Sequence, residues 1–125
     1  MYGDSSNYVK SAMCSGIQWD MVMKFVDKKT DGNGNTTYDV RKADFDRHTR
    51  SKTEAGKNLA DKVQNIYDLE GNCSEYVAEK NNTSYPFVYR GGSFSSRTNY
   101  GASLRYSDLD RADIYRTFRS ALYIK

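Results

Sequence analysis

The stretch SGIQWDMVMKFVDKK, residues Ser15–Lys29, carries the clearest local pattern in this chain of 125 residues. Ser15 and Gln18 have the spacing of a capping box, in which each side chain satisfies a free backbone N–H of the first helical turn. The two closing lysines stand where the helix dipole favours positive charge. The pattern predicts a helix from Gly16 to Lys29 with one apolar face. The residues of that face are Ile17, Met21, Val22, Phe25 and Val26.

Short strand-like runs separated by turns follow, and together with the helix they predict a mixed α+β fold. A long polar connection from Asp39 to Lys62 precedes them. Gly71-Asn72 and Gly91-Gly92 are typical of tight turns. The last run alternates between two faces, which is the pattern of a half-buried strand. The predicted strands are Val63 to Tyr67, Glu75 to Ala78, Tyr85 to Tyr89, and Phe118 to Ile124.

Length and charge limit the classes of protein. A chain of 14.3 kDa suits a single domain, residues 1–125, with one modest core. No apolar run approaches the roughly 18–20 residues of a membrane-spanning helix, so we expect no membrane insertion. The 19 basic and 16 acidic residues are mixed along the chain, which argues against nucleic acid as the partner, since such proteins cluster their basic residues.

The residue types that bind metals or form disulfides are sparse. Cys14 and Cys73 are not spaced for a metal site; two buried free thiols are favoured, and a single bridge between them is the alternative. The turn DGNGN, residues 31–35, resembles the start of a calcium loop, but Thr36 and Lys42 stand where that loop needs Gly and Glu. His48 has no second ligand near it in sequence, so we expect a solvated side chain.

Four fragments occur in an order that resembles a known family. They are SGIQWDMVMKF, NIYDLEGNCSEYVAE, YRGGSF and TFRSALYI, and they span roughly Ser15 to Ile124. Together they resemble the formylglycine-generating-enzyme (sulfatase-modifying factor) version of the C-type lectin fold. Two positions depart from the family pattern, since Thr117 replaces a glycine and Ser74 an aromatic residue. The family's first strands and helix should precede residue 1, so the resemblance implies a minimal or N-terminally truncated fold.

The resemblance does not extend to the family's catalytic groups. Its enzymes use a pair of cysteines that bind copper after the RGGS strand, and residues 91–125 contain no cysteine. The related iron enzymes need a histidine cluster, and this chain has one histidine. We therefore expect no enzyme and no cofactor. Asn72 and Glu75 belong to a turn that holds structural calcium in some relatives; a purely hydrogen-bonded turn is the favoured alternative.

Composition changes sharply at Gly91. Lys, Glu, Gln, Met and Trp make up 20 of the first 90 residues and none of residues 91–124. The codons of these five amino acids all end in a purine. Many proteins that resemble this one are variable proteins of diversity-generating retroelements, in which adenines of AAC-like codons near the 3′ end of the gene are randomised. That process cannot produce the five missing residue types, so the resemblance predicts a variable segment at residues 95–117.

The predicted variable segment has the composition of an antibody paratope, with tyrosine for contact area, serine and asparagine for adaptable hydrogen bonds, and arginine for charge. The remainder, residues 1–94 and 118–125, would be scaffold, as would Ala102, Ser103 and Arg105 within the segment. Ala112 and Ile114 are expected to fill space. The predicted ligand contacts are Ser95, Arg97, Asn99, Tyr100, Leu104, Tyr106, Ser107, Leu109, Arg111, Asp113 and Tyr115.

The prediction from sequence is thus a non-catalytic binding protein whose partner is a cell-surface protein or glycan. A phage virion, at the tail, or a bacterial cell surface is the expected location, and a homo-oligomer would add avidity. The first alternative is a fixed-specificity lectin-like or sulfatase-modifying-factor-like domain, whose polar loop is ordinary surface with tyrosines packed inward. A structural module of a larger particle is the second alternative.

Overall fold

The computed structural model describes residues 9–27, 39–40, 51–96, 101–109 and 113–124. The helix and the strands of these residues form a mixed α+β fold, which confirms the predicted class at that level. The elements in chain order are β1 (Val9–Met13), α1 (Gly16–Val26), a short 3-10 turn (Leu59–Asp61), β2 (Lys62–Val63), β3 (Ile66–Tyr67), β4 (Ser74–Lys80), β5 (Phe87–Arg90), β6 (Arg105–Asp108), β7 (Arg116–Phe118) and β8 (Ser120–Ile124).

The largest sheet has the strand order β6-β5-β4-β7. Strand β5 pairs antiparallel with both β4 and β6, whereas β7 pairs parallel with β4. The two central strands come from residues 74–90, and both edge strands come from the compositionally distinct segment that begins at Gly91. A second pairing joins β1 to β8 in antiparallel register, with Val9 opposite Ile124. Strand β1 was not predicted from the sequence.

The start of α1 confirms the predicted capping box. The Gln18 backbone N–H donates to the Ser15 hydroxyl at 3.2 Å, and the Ser15 backbone N–H donates to the Gln18 side-chain oxygen at 2.8 Å. The helix ends at Val26, with Asp27 as the C-cap in an extended conformation. This end precedes the predicted one at Lys29, and residues 28–38 lie outside the described part of the chain.

The predicted inner face of α1 is wrong in part. Trp19, Met23 and Val26 are buried, whereas Ile17 is 76% exposed and Met21 is 64% exposed. The orientation follows from Trp19, whose indole N–H donates to the Ala102 carbonyl at 2.9 Å inside the core. Burying the largest aromatic ring together with its polar N–H outweighs burying smaller side chains on the other side. Phe25 is also exposed, and Val22 packs at the margin of the core.

The strand predictions had mixed outcomes. Those at 75–78 and 85–89 are confirmed by β4 and β5, and both glycine turns adopt positive φ angles. The strand predicted at 63–67 is wrong, because Gln64 and Asn65 form a tight turn with φ of 50° and 64° between β2 and β3. The strand predicted at 118–124 is interrupted at Arg119, so that β7 pairs with β4 and β8 pairs with β1.

The core lies between α1 and the inner face of the four-stranded sheet. Val77 and Val88 are register partners on β4 and β5, and both belong to the buried cluster that contains Trp19. Cys14 and Cys73 are buried free thiols, as the favoured interpretation predicted. The described helix is too short to cross a membrane. The long polar connection is described only in part, and the turn at 31–35 and His48 lie outside the described residues.

Candidate binding site

A row of four aromatic side chains crosses the large sheet. Tyr106, Tyr89 and Tyr76 are register partners on β6, β5 and β4, and Phe118 on β7 is the partner of Tyr76. Directly paired residues project from the same face of a sheet. The Tyr89 and Tyr106 rings stack with centroids 5.7 Å apart, and Tyr76 meets Tyr89 edge-on at 6.4 Å. These four residues, the aromatic row, lie on the face opposite the core and are half-buried or exposed.

Arg116 on β7 ties the aromatic row to the segment that follows β6. Its guanidinium lies 4.8 Å from the Tyr89 ring centroid and donates to the Tyr76 hydroxyl at 3.1 Å. It also donates to the Asp108 carboxylate at 2.5 Å, and Asp113 lies 3.9 Å away. Burial by itself lowers the pKa of Arg116, but the hydrogen bonds with Tyr76 and Asp108 outweigh it and raise that pKa overall. The arginine is therefore a permanent cation.

The structure engages three of the predicted contacts within the protein itself, and one of them, Asp113, lies beside this arginine. Tyr106 stacks on Tyr89, and Asp113 accepts the Tyr115 backbone N–H at 3.0 Å. The Ser107 hydroxyl accepts the Asn81 side-chain amide at 2.8 Å. These three predicted contacts hold the protein's own surface together. The predicted contacts Arg97, Asn99, Tyr100 and Arg111 lie outside the described residues.

The other predicted contacts of the described part fall into an exposed and a partly covered group. Leu109 is 53% exposed directly after β6. Tyr115 is exposed on one side, while its ring packs against Phe94 with centroids 5.2 Å apart. The Ser95 hydroxyl lies 3.2 Å from that of Ser93, and Leu104 is half-buried. Among the predicted contacts that the structure describes, Ser95, Leu109 and Tyr115 are therefore exposed to a ligand, and Leu104 is partly covered.

Two exposed apolar residues in or next to the predicted variable segment were not predicted as contacts. Ile114 was expected to fill space, and this is wrong, because its side chain is 66% exposed. Phe118 was assigned to the scaffold, yet it is exposed at the end of the aromatic row. Alternation in FVYR, with Val88 between Phe87 and Tyr89, could have indicated an aromatic outer face. Ala112 lies outside the described residues.

A groove continues from the aromatic row along β4 and β5. It has a volume of about 700 Å³ and an apolar lining that includes Met13, Tyr76, Pro86 and Phe87. Glu79 and Lys80 provide its charged groups. Concave apolar surfaces of this size, carrying a few polar groups, are typical of ligand sites.

A second, smaller cavity of about 300 Å³, the polar cavity, lies at the junction of β7 and β8. Arg119 and Glu75 form its inner wall with two hydrogen bonds, at 2.5 Å and 2.9 Å, between the guanidinium and both carboxylate oxygens. Arg119 also donates to the Tyr67 carbonyl at 2.9 Å. Burial raises the pKa of Glu75, and this outweighs the opposing hydrogen bond from Arg119.

Asn72 and Glu75, the residues suggested for structural calcium, form hydrogen bonds within the protein. The Asn72 side chain accepts the Thr53 N–H and donates to the Thr53 carbonyl, both at 3.1 Å. Both oxygens of Glu75 contact Arg119. Among the described residues, no three His, Cys, Asp or Glu side chains lie close enough to hold a metal ion. A hydrogen-bonded turn, which the sequence favoured over calcium, describes the contacts of Asn72 and Glu75.

Comparison with known proteins does not place the chain in a family. No family model, no curated protein and no solved structure matches it. The class that the fold defines is therefore a mixed α+β domain, and its function is inferred from its own residues.

Proposed function

We propose that this chain is a non-catalytic binding protein whose C-terminal segment, residues 95–117, is a variable ligand-binding surface of the kind found in diversity-generating retroelements. The observation that carries the proposal is the absence of five residue types from residues 91–124. Codons randomised at their first two letters and ending in a pyrimidine leave out these same five. Selection for solubility alone gives no reason to exclude lysine and glutamate from a polar surface.

The geometry supports a binding role for this segment. It supplies both edge strands of the large sheet, whereas the central strands precede it in the chain. A side chain on an edge strand or in the loop beyond it can change without unpairing the centre of the sheet. Leu109, Ile114 and Tyr115 lie in or next to the connection from β6 to β7 and are exposed. Of the three, Tyr115 is the residue type that is enriched among those that dominate the energy of protein interfaces.

Two features favour a binder with a rigid base. Arg116 is held by Tyr76 and Asp108, and it fixes the end of the variable segment to the sheet. Tyr89 and Tyr106 stack on each other at the outer face of the sheet. A rigid base reduces the entropy that a loop loses when it binds. The ligand class we propose is a cell-surface protein or glycan, and an oligomer would multiply weak contacts.

The gene itself tests this proposal. The codons for residues 91–125 are aligned with the neighbouring DNA, in search of a near-copy that differs only where the copy has adenine. We expect such a copy beside a reverse-transcriptase gene, with pyrimidines at the third position of the varied codons. Codons that end freely in purines, without a copy nearby, would contradict the proposal.

The second candidate is a domain of fixed specificity. It is favoured by the internal use of Tyr106, Ser107 and Asp113, which pack and hydrogen-bond as ordinary surface residues do. This candidate predicts that related genes from one source would share the segment without change. Sequencing several copies of the gene from one population separates the two candidates, since a variable protein differs at the predicted contacts and a fixed domain does not.

A further inference from the structure

The groove along β4 and β5 exposes mainly carbon atoms on the outer face of the large sheet. Ala78 of β4 lines it and is exposed, so the smallest side chain of the lining leaves the space open. Met13 of β1 and Phe87 of β5 also line the groove and are 38% and 39% exposed. A ligand that enters this groove meets apolar side chains and must itself be mainly apolar.

Lys80 supplies the available charge of the groove. It is the register partner of Phe87, and paired residues project from the same face of a sheet, so its side chain lies on the side of the groove. Lys80 is exposed and has no ion-pair partner among the described residues. Glu79, the other charged residue of the lining, is paired with Arg105 at 3.0 Å, and its carboxylate lies against Gly16 of α1. Within the described part of the chain, the groove therefore presents a positive charge at one end.

The lining favours an alkyl chain over a peptide. An extended peptide binds a strand through main-chain hydrogen bonds, but the Ala78 N–H already donates to the Cys14 carbonyl at 2.9 Å. Peptide groups that are buried against carbon without partners cost free energy, whereas an alkyl chain has no such groups.

The dimensions of the groove suit a single chain. A strand advances about 3.3 Å per residue, so the lining from Tyr76 to Lys80 is about 13 Å long. The Tyr76 hydroxyl is hydrogen-bonded to Arg116, so the polar atom at that end is engaged within the protein. A concave groove of this length admits one alkyl chain, whereas the surface of a bilayer is flat. The charge at Lys80 requires that the head group of the chain be an anion.

We infer that the groove binds a free fatty acid, whose alkyl chain lies along β4 and whose carboxylate meets the Lys80 ammonium. A volume of about 700 Å³ is within the usual range of small-molecule sites. None of the predicted ligand contacts lines the groove, so this site is separate from the proposed variable surface. Failure of either proposal would leave the other intact.

The site is tested on the intact, ¹⁵N-labelled protein with sodium decanoate as the probe, below the concentration at which it forms micelles. We expect saturable shifts of the Ala78 and Phe87 amide signals, and none with sodium acetate, which has the same head group and no chain. Decyltrimethylammonium has the same chain and the opposite charge, and it should bind about two- to fivefold more weakly, the usual contribution of an exposed ion pair. No saturable shift with decanoate, or equally tight binding of the cation, overturns the inference.

Chain length provides a second measurement. Hexanoate, octanoate and decanoate share one head group, and each methylene that enters the groove should tighten binding up to about fourfold. The three dissociation constants are measured by the same titration. Affinity that does not rise from hexanoate to decanoate would contradict burial of the chain.

Matched lysine variants identify the counter-ion. Lys80→Gln should remove the preference for decanoate over decyltrimethylammonium, because the two probes share one chain. Lys24→Gln removes one charge from an exposed position on α1 that does not line the groove, and it should keep the preference. Equal loss of the preference in both variants would show general attraction to a positive surface and would contradict a site at Lys80.

A pair of variants at Ala78 tests the groove itself. Ala78→Phe places a ring in the open space and should weaken decanoate binding about tenfold or more, whereas Ala78→Ser leaves the space open and should bind as the parent protein does. Thermal unfolding of both variants shows whether they fold. Unchanged decanoate binding in folded Ala78→Phe overturns the inference, and the lysine variants decide it if Ala78→Phe does not fold.

Other occupants of the groove are distinguished with two further probes. One is a capped apolar peptide, and the other is a vesicle that contains phosphatidylglycerol, with which the protein is sedimented. Tighter binding of the peptide than of decanoate indicates a partner protein and contradicts a fatty-acid site. Sedimentation with vesicles that excess decanoate does not reduce contradicts it as well, while binding of decanoate alone supports it.

Discussion

At the scale of single residues, the close approach of another backbone segment requires glycine at position 91. It has a φ of +85°, and a Cβ added there would lie 2.8 Å from the Leu69 carbonyl oxygen. Its own carbonyl accepts the Gly71 N–H at 3.0 Å, which holds the two glycine turns together. The first glycine of the RGGS motif is thus required by a contact between two backbones.

Gly91→Ala should destabilise the protein by more than about 2 kcal/mol, because a left-handed conformation costs a side chain about 1–2 kcal/mol and the carbonyl clash adds to it. Gly56→Ala is the matched control, since Gly56 also has a positive φ of +74° but a Cβ there would meet only a ring carbon at 3.8 Å. Urea unfolding measures both. Equal losses for the two variants would show that the clash with Leu69 has no effect.

The two thiols provide a prediction about pH. Burial is the largest cause of a raised pKa at both Cys14 and Cys73, each starting from an ordinary value of 9.0. A raised pKa in the folded state stabilises the fold below the unfolded value, and that contribution is lost as pH rises through the folded value. Stability should therefore fall as pH rises above about 9.

At pH 8 we also expect both thiols to react slowly with Ellman's reagent in the folded protein and rapidly in urea, since the thiolate is the reactive form. The single variants Cys14→Ser and Cys73→Ser assign the rate to each thiol. Rapid reaction of either thiol without denaturant would contradict the burial of that residue.

At the scale of elements, helix α1 has a capping box that depends on local pattern and a buried face that depends on a tertiary contact. Its capping box depends on residues four apart or less, and sequence alone was enough to predict it. Its buried face depends on Trp19 reaching the Ala102 carbonyl, which lies far along the chain. Ile17, Met21 and Phe25 consequently form an exposed apolar stripe.

Two methionines on this helix test its orientation. Met23→Ala should cost about 2–5 kcal/mol, the usual range for emptying a buried methionine site, because Met23 is buried. Met21→Ala should change stability by no more than about 0.5 kcal/mol, since that side chain is exposed. The same substitution at both positions removes any difference in helix propensity. A larger loss at Met21 than at Met23 would reverse the assigned face.

At the scale of the whole molecule, some residues of the segment after Gly91 stabilise the sheet and others face solvent, and composition does not distinguish the two groups. Arg116, Tyr106 and Asp108 hold the outer face of the sheet together. Leu109 and Ile114 face solvent. The proposed variable surface therefore rests on residues of the same segment, and not every residue in it can vary without loss of stability.

Substitutions of the solvent-facing residues in the segment should change stability little, whereas substitution of a residue that stabilises the sheet should cost more. Leu109→Ser and Ile114→Ser should alter stability by less than about 0.5 kcal/mol, as expected for exposed positions. Tyr106→Ser should cost about 1 kcal/mol or more, because it removes a stacked ring from Tyr89. Thermal unfolding of the three variants measures this. Losses at Leu109 and Ile114 as large as that at Tyr106 would contradict a tolerant exposed surface.

The sequence by itself was sufficient for features that depend on near neighbours or on composition. The capping box of Ser15 and Gln18, the glycine turns and the strands at 75–78 and 85–89 are short-range patterns, and a chain forms them by satisfying its own nearest hydrogen-bonding groups. The boundary at Gly91 is a property of residue types, so it needs no structure to be detected.

Tertiary structure decided which sides of these elements are buried and what the segment contacts. The hydrogen bond from Trp19 determined which face of α1 is buried. Because the strand breaks at Arg119, β7 pairs with β4 and β8 pairs with β1. Strand register aligned the four residues of the aromatic row, Tyr76, Tyr89, Tyr106 and Phe118. These outcomes depend on residues distant in sequence, and a local pattern contains no information about distant partners. Whether a tyrosine stacks on its own sheet or is free to meet a ligand is decided at that level.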